Sequence, residues 1–518
     1  MSALSFLAAL ALGAPPRAGF AETARAVGEE NARWWDAGIA LRLRETLRYN
    51  LDLDHGLSPS GEPLFATPDG DPSAQLMHGA DLRLRVDLGA RTPTGGVGVF
   101  VQLDALDNLR LGSTPEGIPS ATTSQRPPES AMLLRRAYGV ALTPFGFLAA
   151  GRMGSHWGLG LLTHGGDCAD CDSGDAADRV AFMTSLANHL WAVSYDFSAT
   201  GPGQRAASGA VVDVDPTDDV HTVTFAVMSA YSDLSRERRR RAERVSVEYG
   251  AYVSHRWQDN DAPASYLPIA APEPLSATQV MHRGFRATAV DGWFRLTAPW
   301  GRVELEAALL LGHIEQASLI PGVLLHEAVE SLQWGAALET DFGVDTFPLR
   351  GGVDFGVASG DPAPGFGVNV QATDAPPKPG DLEGPQAIAG RDNRVDNFRF
   401  HRDYRIDRIL FRELIGTVTD AFYIRPHLDW TVATVGPGTL SFSLFGVFSL
   451  AMEERSTPGG TQPLGVELDP SLSYVTRDGF TFAVDYAALF PLSGLDNGTL
   501  GLASSVAQLT RFRVSYAF

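Results

Sequence analysis

Apolar and polar positions alternate with a period of two along most of the chain. From Ala37 to Asn50, Ile39, Leu41, Leu43, Leu47 and Tyr49 fall on one face and Arg42, Arg44, Thr46 and Arg48 on the other. Ala80 to Gly89 sets Leu82, Leu84, Val86 and Leu88 against Asp81, Arg83, Arg85 and Asp87, and a T-P-T-G-G turn leads into Val97, Val99, Val101 and Leu103. Successive side chains of a strand point to opposite faces, so each segment predicts a β-strand with one apolar and one polar face. The connections come in two lengths. Short ones stand at 143–146, 187–188, 298–301, 344–348, 435–438 and 477–479, and long polar ones near 51–77, 110–130, 158–178, 199–217, 257–279, 316–327, 360–404 and 453–462. This rhythm predicts an all-β chain, a single antiparallel transmembrane β-barrel of about 18 strands, with about 16 as the runner-up.

Hydropathy sharpens that reading. Past the N-terminus no stretch approaches ~18 continuous apolar residues, and the mean hydropathy is −0.04, which excludes a helical membrane protein. A barrel escapes the limit because lipid-facing and lumen-facing residues average out along each strand. Glu45 and Arg136 break the alternation; regular strands would turn both toward lipid, so each needs a bulge or a shifted boundary. The 54 glycines suit many turns. A formal charge of −20 argues against a nucleic-acid partner. Many of the acids sit in the Gly/Pro-rich connections, which reads them as solvated loops.

The last stretch, Gln508 to Phe518, alternates Phe512, Val514, Tyr516 and Phe518 with Arg511, Arg513, Ser515 and Ala517. It resembles the C-terminal strand of Gram-negative outer-membrane β-barrels of porin type. In that family the final aromatic residue belongs to the assembly signal, here Phe512, Val514, Tyr516 and Phe518. The resemblance implies the bacterial outer membrane, short periplasmic turns and long outer loops. It also implies outer-membrane lipids and the barrel-assembly machinery as partners, with an oligomer open. The N-terminus agrees: Leu4 to Leu12 is an apolar run of about nine residues followed by a small-x-small pattern at Gly19-Phe20-Ala21, although no positive charge precedes it. The expected division is a signal peptide over 1–21, a periplasmic leader over 22–35 and the barrel over 36–518. So short a leader leaves no room for a plug domain of the TonB-dependent kind. Trp34, Trp35 and Tyr516 are expected at the periplasmic aromatic girdle. The phrases Gly151 to Leu161 and Asp172 to Val180 resemble an uncharacterised outer-membrane family of myxobacteria, which implies location more than activity.

If the apolar face meets lipid, the polar face lines a lumen. Arg42, Arg44, Arg48, Arg83, Arg85, Arg511 and Arg513 come from strands that become neighbours on closure, and Arg135 and Arg152 extend that wall. Glu248, Glu304, Glu306, Glu339 and Asp354 fall about half a circuit away, so an arginine wall is expected to face an acidic one across the pore. Rings of fixed charge of this kind set selectivity in channels. The expected function is passive diffusion of small hydrophilic solutes, with anionic ones favoured by the arginines. The alternatives are a substrate-specific or polysaccharide-export channel, and a closed barrel acting as a surface anchor or adhesin; the 360–404 loop, if folded inward, would decide between them.

Other local signals add less. Asp167, Asp170, Asp172, Asp175 and Asp178 offer hard oxygen ligands around a glycine turn, so calcium in an outer loop is one reading and a solvated acidic loop the other. Cys168 and Cys171 are expected to form a local disulfide in an exported chain. Ser235 to Arg244 (S-R-E-R-R-R-R-A-E-R) falls where a periplasmic turn is due; it reads as a solvated basic turn or short helix, or as a site for anionic lipid headgroups or peptidoglycan. Ile406 to Ile415 has helical spacing and reads as a helix on the rim or folded into the pore, or as the top of a strand. His156 is expected to point inward. No phosphate loop, H-E-x-x-H or nucleophile elbow occurs, so no enzyme activity and no cofactor are expected.

Overall fold

A computed structural model describes residues 19–20, 34–57, 64–68, 75–94, 96–112, 132–213, 215–262, 280–318, 327–344, 347–366 and 393–518. The barrel strands are β1 (Trp35–Tyr49), β2 (Leu76–Arg91), β3 (Val97–Arg110), β4 (Leu133–Thr143), β5 (Gly146–Gly154), β6 (Ala176–Leu186), β7 (His189–Ala199), β8 (Val220–Ser229) and β9 (Ser246–Asp261). The second half comprises β10 (Met281–Ala298), β11 (Gly301–Ile314), β12 (Val329–Phe342), β13 (Leu349–Ala358), β14 (Ala421–Val435), β15 (Gly438–Ala451), β16 (Pro463–Thr476), β17 (Phe480–Pro491) and β18 (Ala507–Ala517). Each strand pairs antiparallel with its chain neighbours, and β18 returns to β1 through Ala517↔Ala40 to Gln508↔Tyr49, closing an 18-stranded sheet. Closure gives every strand two partners, so no row of backbone N–H and C=O groups is left for lipid, where each would cost several kcal/mol.

The alternation read from the sequence fixes the two faces. Leu41, Leu43, Val99, Leu148, Val193, Phe225, Val253, Leu305, Leu309, Leu428, Leu472 and Phe482 all stand exposed on the outside. An apolar belt of this kind has no stable place in water and marks contact with hydrocarbon. Aromatic rows bound it. Near the short turns the His189 ring lies 5.6 Å from Tyr249 and Trp300 lies 6.0 Å from Phe342. Trp34 and Trp35 are exposed beside one another, and Tyr516 lies 5.4 Å from Phe518. Toward the long loops, Phe197, Tyr195, His221, Trp257 and His255 form a chain of rings 5.0 to 5.9 Å apart. Aromatic rings gather where hydrocarbon meets headgroups. The chain is a transmembrane β-barrel.

The two exceptions to alternation resolve differently. The β3–β4 register slips between Gln102 and Leu103, so that Gln102 pairs with Arg136 and Leu103 with Leu134. Arg135 is the extra residue of this bulge, and both guanidinium groups turn inward. Glu45 has no bulge: it pairs in regular register with Ala80 and Phe512 and stays exposed on the outer face, above Leu43 and Leu41. Its place is toward the long-loop edge of the belt, where a carboxylate is less costly than at the midplane. In the Arg477-Asp478-Gly479 turn, a Cβ at position 479 would strike the Ala517 carbonyl, and φ is +83°, so glycine is required there.

Candidate functional site

Two of the described loops fold into the lumen, held by all the expected pore arginines but Arg152 and, from the acidic set, by Glu306. The first runs from 155 to 175. On the arginine side, Arg42 donates to the Cys171 carbonyl at 3.0 Å and to Asp172 at 2.9 Å, and Arg83 donates to the same carbonyl. Arg85 forks onto Asp104 at 2.8 and 3.0 Å and reaches the Gly166 carbonyl at 2.8 Å. Arg136 takes the Gly165 carbonyl at 2.6 Å and Asp167 at 2.9 Å. Arg44 bonds Asp81 and Asp170, while Arg511 and Arg513 lie 3.5 and 3.6 Å from Asp170. Arg48 forks onto Glu413 at 3.0 and 3.1 Å. Arg42, Arg83, Arg85 and Arg511 are therefore buried anchors of the loops, a correction to their reading as linings of an open pore. Arg152 needs a larger correction. It shares the outer face of β5 with Leu148 and Ala150, and bonds Asp178 on the outer face of β6 at 2.8 Å.

On the opposite wall Glu306 is the counterpart. Its carboxylate, fully buried, accepts the backbone N–H groups of Leu159, Gly160 at 2.9 Å and Leu161 at 3.1 Å. Beside it the Trp157 indole N–H donates to Asp291 at 3.1 Å. Gly158, at φ +53°, sits so close that a Cβ would strike the Glu306 carboxylate. The sequence phrase W-G-L-G-L is thus a carboxylate-docking tip. The remaining acids do not form a bare negative wall. Glu304 is held by Arg295 and Arg302, Glu339 by Arg302, Asp354 by Arg425 at 2.9 Å, and Glu248 by Arg236 at 3.0 Å. Arg295, Arg302 and Arg425 were legible as basic residues at inward positions, and the acidic reading of these strands passed over them.

The second loop, described from 393 to 420, docks the same way. Glu467 on β16 accepts the N–H groups of Arg408 at 2.9 Å, Ile409 at 2.8 Å and Leu410 at 2.9 Å. Asp407 accepts from Phe411 and Arg412, and Arg408 bonds Asp485. The helical spacing of 406–415 resolves as a π-helical turn, Leu410–Leu414, inside the lumen. Ile406, Ile409, Leu410 and Phe411 are buried there with Phe398, Phe400 and Tyr404 against the inner face of Ala337, Ala358, Tyr423, Val447 and Leu489. The residues of the 360–404 loop from 367 to 392 lie outside the described set.

The two loops meet each other at Cys168–Cys171, which are disulfide-bonded. Asp403 of the second loop accepts the N–H groups of Asp172 and Ser173 of the first, and Arg405 and Arg412 reach back to Asp172 and Asp170. Burial works against ionised Asp170 and Asp172. The surrounding arginines, Arg412 and Arg511 at the first and Arg405 and Arg44 at the second, outweigh it and hold both carboxyls below the ordinary range. The five aspartates named for calcium do not converge: Asp167 faces Arg136, Asp170 and Asp172 face this arginine cluster, Asp175 accepts the His164 N–H, and Asp178 is outside the barrel. His156, inward as expected, stacks edge-on to His164 at 5.0 Å, and His164 lies 5.5 Å from His401. Burial, with His156 beside it, pushes His164 down to about 3, so the ring is neutral.

Of the expected signal peptide only Gly19 and Phe20 are described. Phe20 is buried in the lumen among Tyr138, Met153, Trp157 and Met183, with Arg179 over its ring at 5.7 Å.

No protein-family model and no curated protein matches the chain. Among solved structures it is similar to three proteins of Pseudomonas aeruginosa. OccK5 (OpdH) is 11% identical over 93% of this chain and 98% of that one, with a TM-score of 0.46. OpdQ is 12% identical over 94% and 99%, at 0.45. The outer membrane protein OpdK is 10% identical over 93% and 99%, at 0.44. The 18-strand closure stands on the strand pairing described above, independently of these likenesses.

Proposed function

We propose that this chain is an outer-membrane channel for small hydrophilic solutes, narrowed by two inward loops and favouring anions. The carrying observation is the balance of charge where the loops meet. Arg42, Arg44, Arg48, Arg83, Arg405, Arg412, Arg511 and Arg513 surround Asp81, Asp170, Asp172, Asp403 and Glu413, eight cations against five anions. Arg48, Arg405 and Arg513 keep part of their side chains accessible. Excess fixed positive charge in a narrow, low-dielectric passage concentrates anions and offers forked contacts to carboxylate or phosphate. Solutes cross down their gradients, and no residue is assigned a chemical step.

A second reading is supported by the apolar cluster of Phe398, Phe400, Tyr404, Ile409 and Phe411 in the lumen. Packing of this kind also suits a closed barrel serving as a surface anchor. Ion flux through the folded protein in a planar bilayer separates the two: a steady conductance supports the channel, and silence from folded barrels supports the anchor.

A further inference from the structure

Of the arginine-rich segment between β8 and β9, Arg236 reaches inward to Glu248, and most of the remaining charge lies outside the lumen. Residues 235–244 hold six arginines and two glutamates, a net charge of +4 in a chain of net −20. Residues 235–241 lie in α1 (Asp233–Arg241), capped at its start by the Ser232 hydroxyl. The helix closes with Glu243 at φ 55°, the Arg244 N–H donating to the Arg239 carbonyl and the Glu243 N–H to that of Arg240. This paired C-terminal closure folds Arg244 back against the last turn.

The arginines divide by job. Arg236 goes inward to Glu248, and Arg239 lies over Tyr231 and bonds Ser246 and the Val245 carbonyl. Arg238, Arg241 and Arg244 are exposed, Arg241 with one bond to Glu237. Val245, just before β9, and Val247 and Tyr249 on the outer face of β9 follow along the chain, all exposed. Tyr249 bonds His189 at 2.9 Å in the aromatic row near the short turns. A basic cluster is therefore continuous in the chain with the lipid-facing surface, at the level where headgroups of the periplasmic leaflet lie.

We propose that Arg238, Arg241 and Arg244 bind the phosphodiester of an anionic phospholipid in the periplasmic leaflet, with Val247 and Tyr249 against its acyl region. Charge complementarity commits the site to an anionic lipid, and its continuity with the apolar belt commits it to a lipid over a soluble polymer.

The test is native mass spectrometry of the folded full chain from micelles holding equal phosphatidylglycerol and phosphatidylcholine. The wild type is expected to retain phosphatidylglycerol about ten-fold over phosphatidylcholine, falling with added salt. R238Q/R241Q/R244Q should lose that preference, the matching lysine triple should keep most of it, and R286Q, on the outer face toward the long loops, should leave it unchanged. Retention of the preference by the glutamine triple, or its equal loss in R286Q, would overturn the proposal. Binding to isolated peptidoglycan that the glutamine triple abolishes, with no lipid preference in the wild type, would overturn it in favour of the cell wall.

Discussion

Glu306 offers the sharpest perturbation of the lumen. Its buried carboxylate accepts three consecutive backbone N–H groups, those of Leu159, Gly160 and Leu161, and the Gly160 N–H also reaches the Trp157 carbonyl at 2.8 Å. Glu306→Ala orphans the Leu159 and Leu161 N–H groups, while Gly160 keeps the Trp157 carbonyl. At ~1–3 kcal/mol per orphaned donor the docked tip loses roughly 2–6 kcal/mol, more than a loop tip can absorb in place. The arginine end of the loop keeps its own bonds, Arg85 to Gly166 and Arg136 to Gly165. The tip should therefore swing off β11 into water while the barrel stays folded. Glu306→Gln keeps one carbonyl acceptor and should do less. Single-channel recording should show larger and noisier conductance in E306A than in E306Q, and hydrogen exchange should show lost protection confined to residues 157–163. Unchanged conductance together with unchanged exchange in E306A would refute the docking role of Glu306.

Three further outcomes are expected. Cys168→Ser/Cys171→Ser opens a bridge between residues only three apart, worth less than the ~3 kcal/mol of a roughly 15-residue loop; barrel stability should hardly change while conductance does, and the reverse pattern would contradict a local role. Asp218, in the loop between β7 and β8, is pushed up to about 6 by burial and then by Asp213, Asp215 and Asp219. Its folded form holds the proton that the unfolded loop releases near 3.8, so loop stability falls as pH rises from about 4 through about 6. Limited proteolysis of that loop should be faster at pH 7.5 than at pH 4.5 relative to Asp218→Asn, and a parallel pH response in the variant would contradict it. Because Asp170 and Asp172 already face arginines, chelating divalent cations should leave bilayer conductance unchanged, and a calcium-dependent change would restore an ion to this loop.

Strand identity, strand number and which loops are long were all legible, because a two-residue period and the spacing of Gly/Pro-rich segments are local properties. The bulge that turns Arg135 and Arg136 inward was visible as a broken alternation, but the same signal at Glu45 meant an outward carboxylate. Only the pairing of neighbouring strands distinguishes them. Arg152 was misplaced because β5 is short, nine residues, and offers few apolar positions to fix its face. What the pattern could not carry is docking. Whether Arg83 faces water or the Cys171 carbonyl depends on a contact 88 positions away, and Glu467 meets residues 57 to 59 positions before it. The amphipathic phrase R-I-D-R-I-L-F-R-E-L carried the only local hint, since so apolar a loop segment must bury itself somewhere.

The measurement that bears most directly on a narrowed, anion-favouring channel is single-channel conductance and reversal potential of the refolded barrel in a planar bilayer under a salt gradient. A small steady conductance with a reversal potential of the sign given by anion permeation is the predicted result. No conductance, or a clear cation preference, from protein shown to be folded would contradict it.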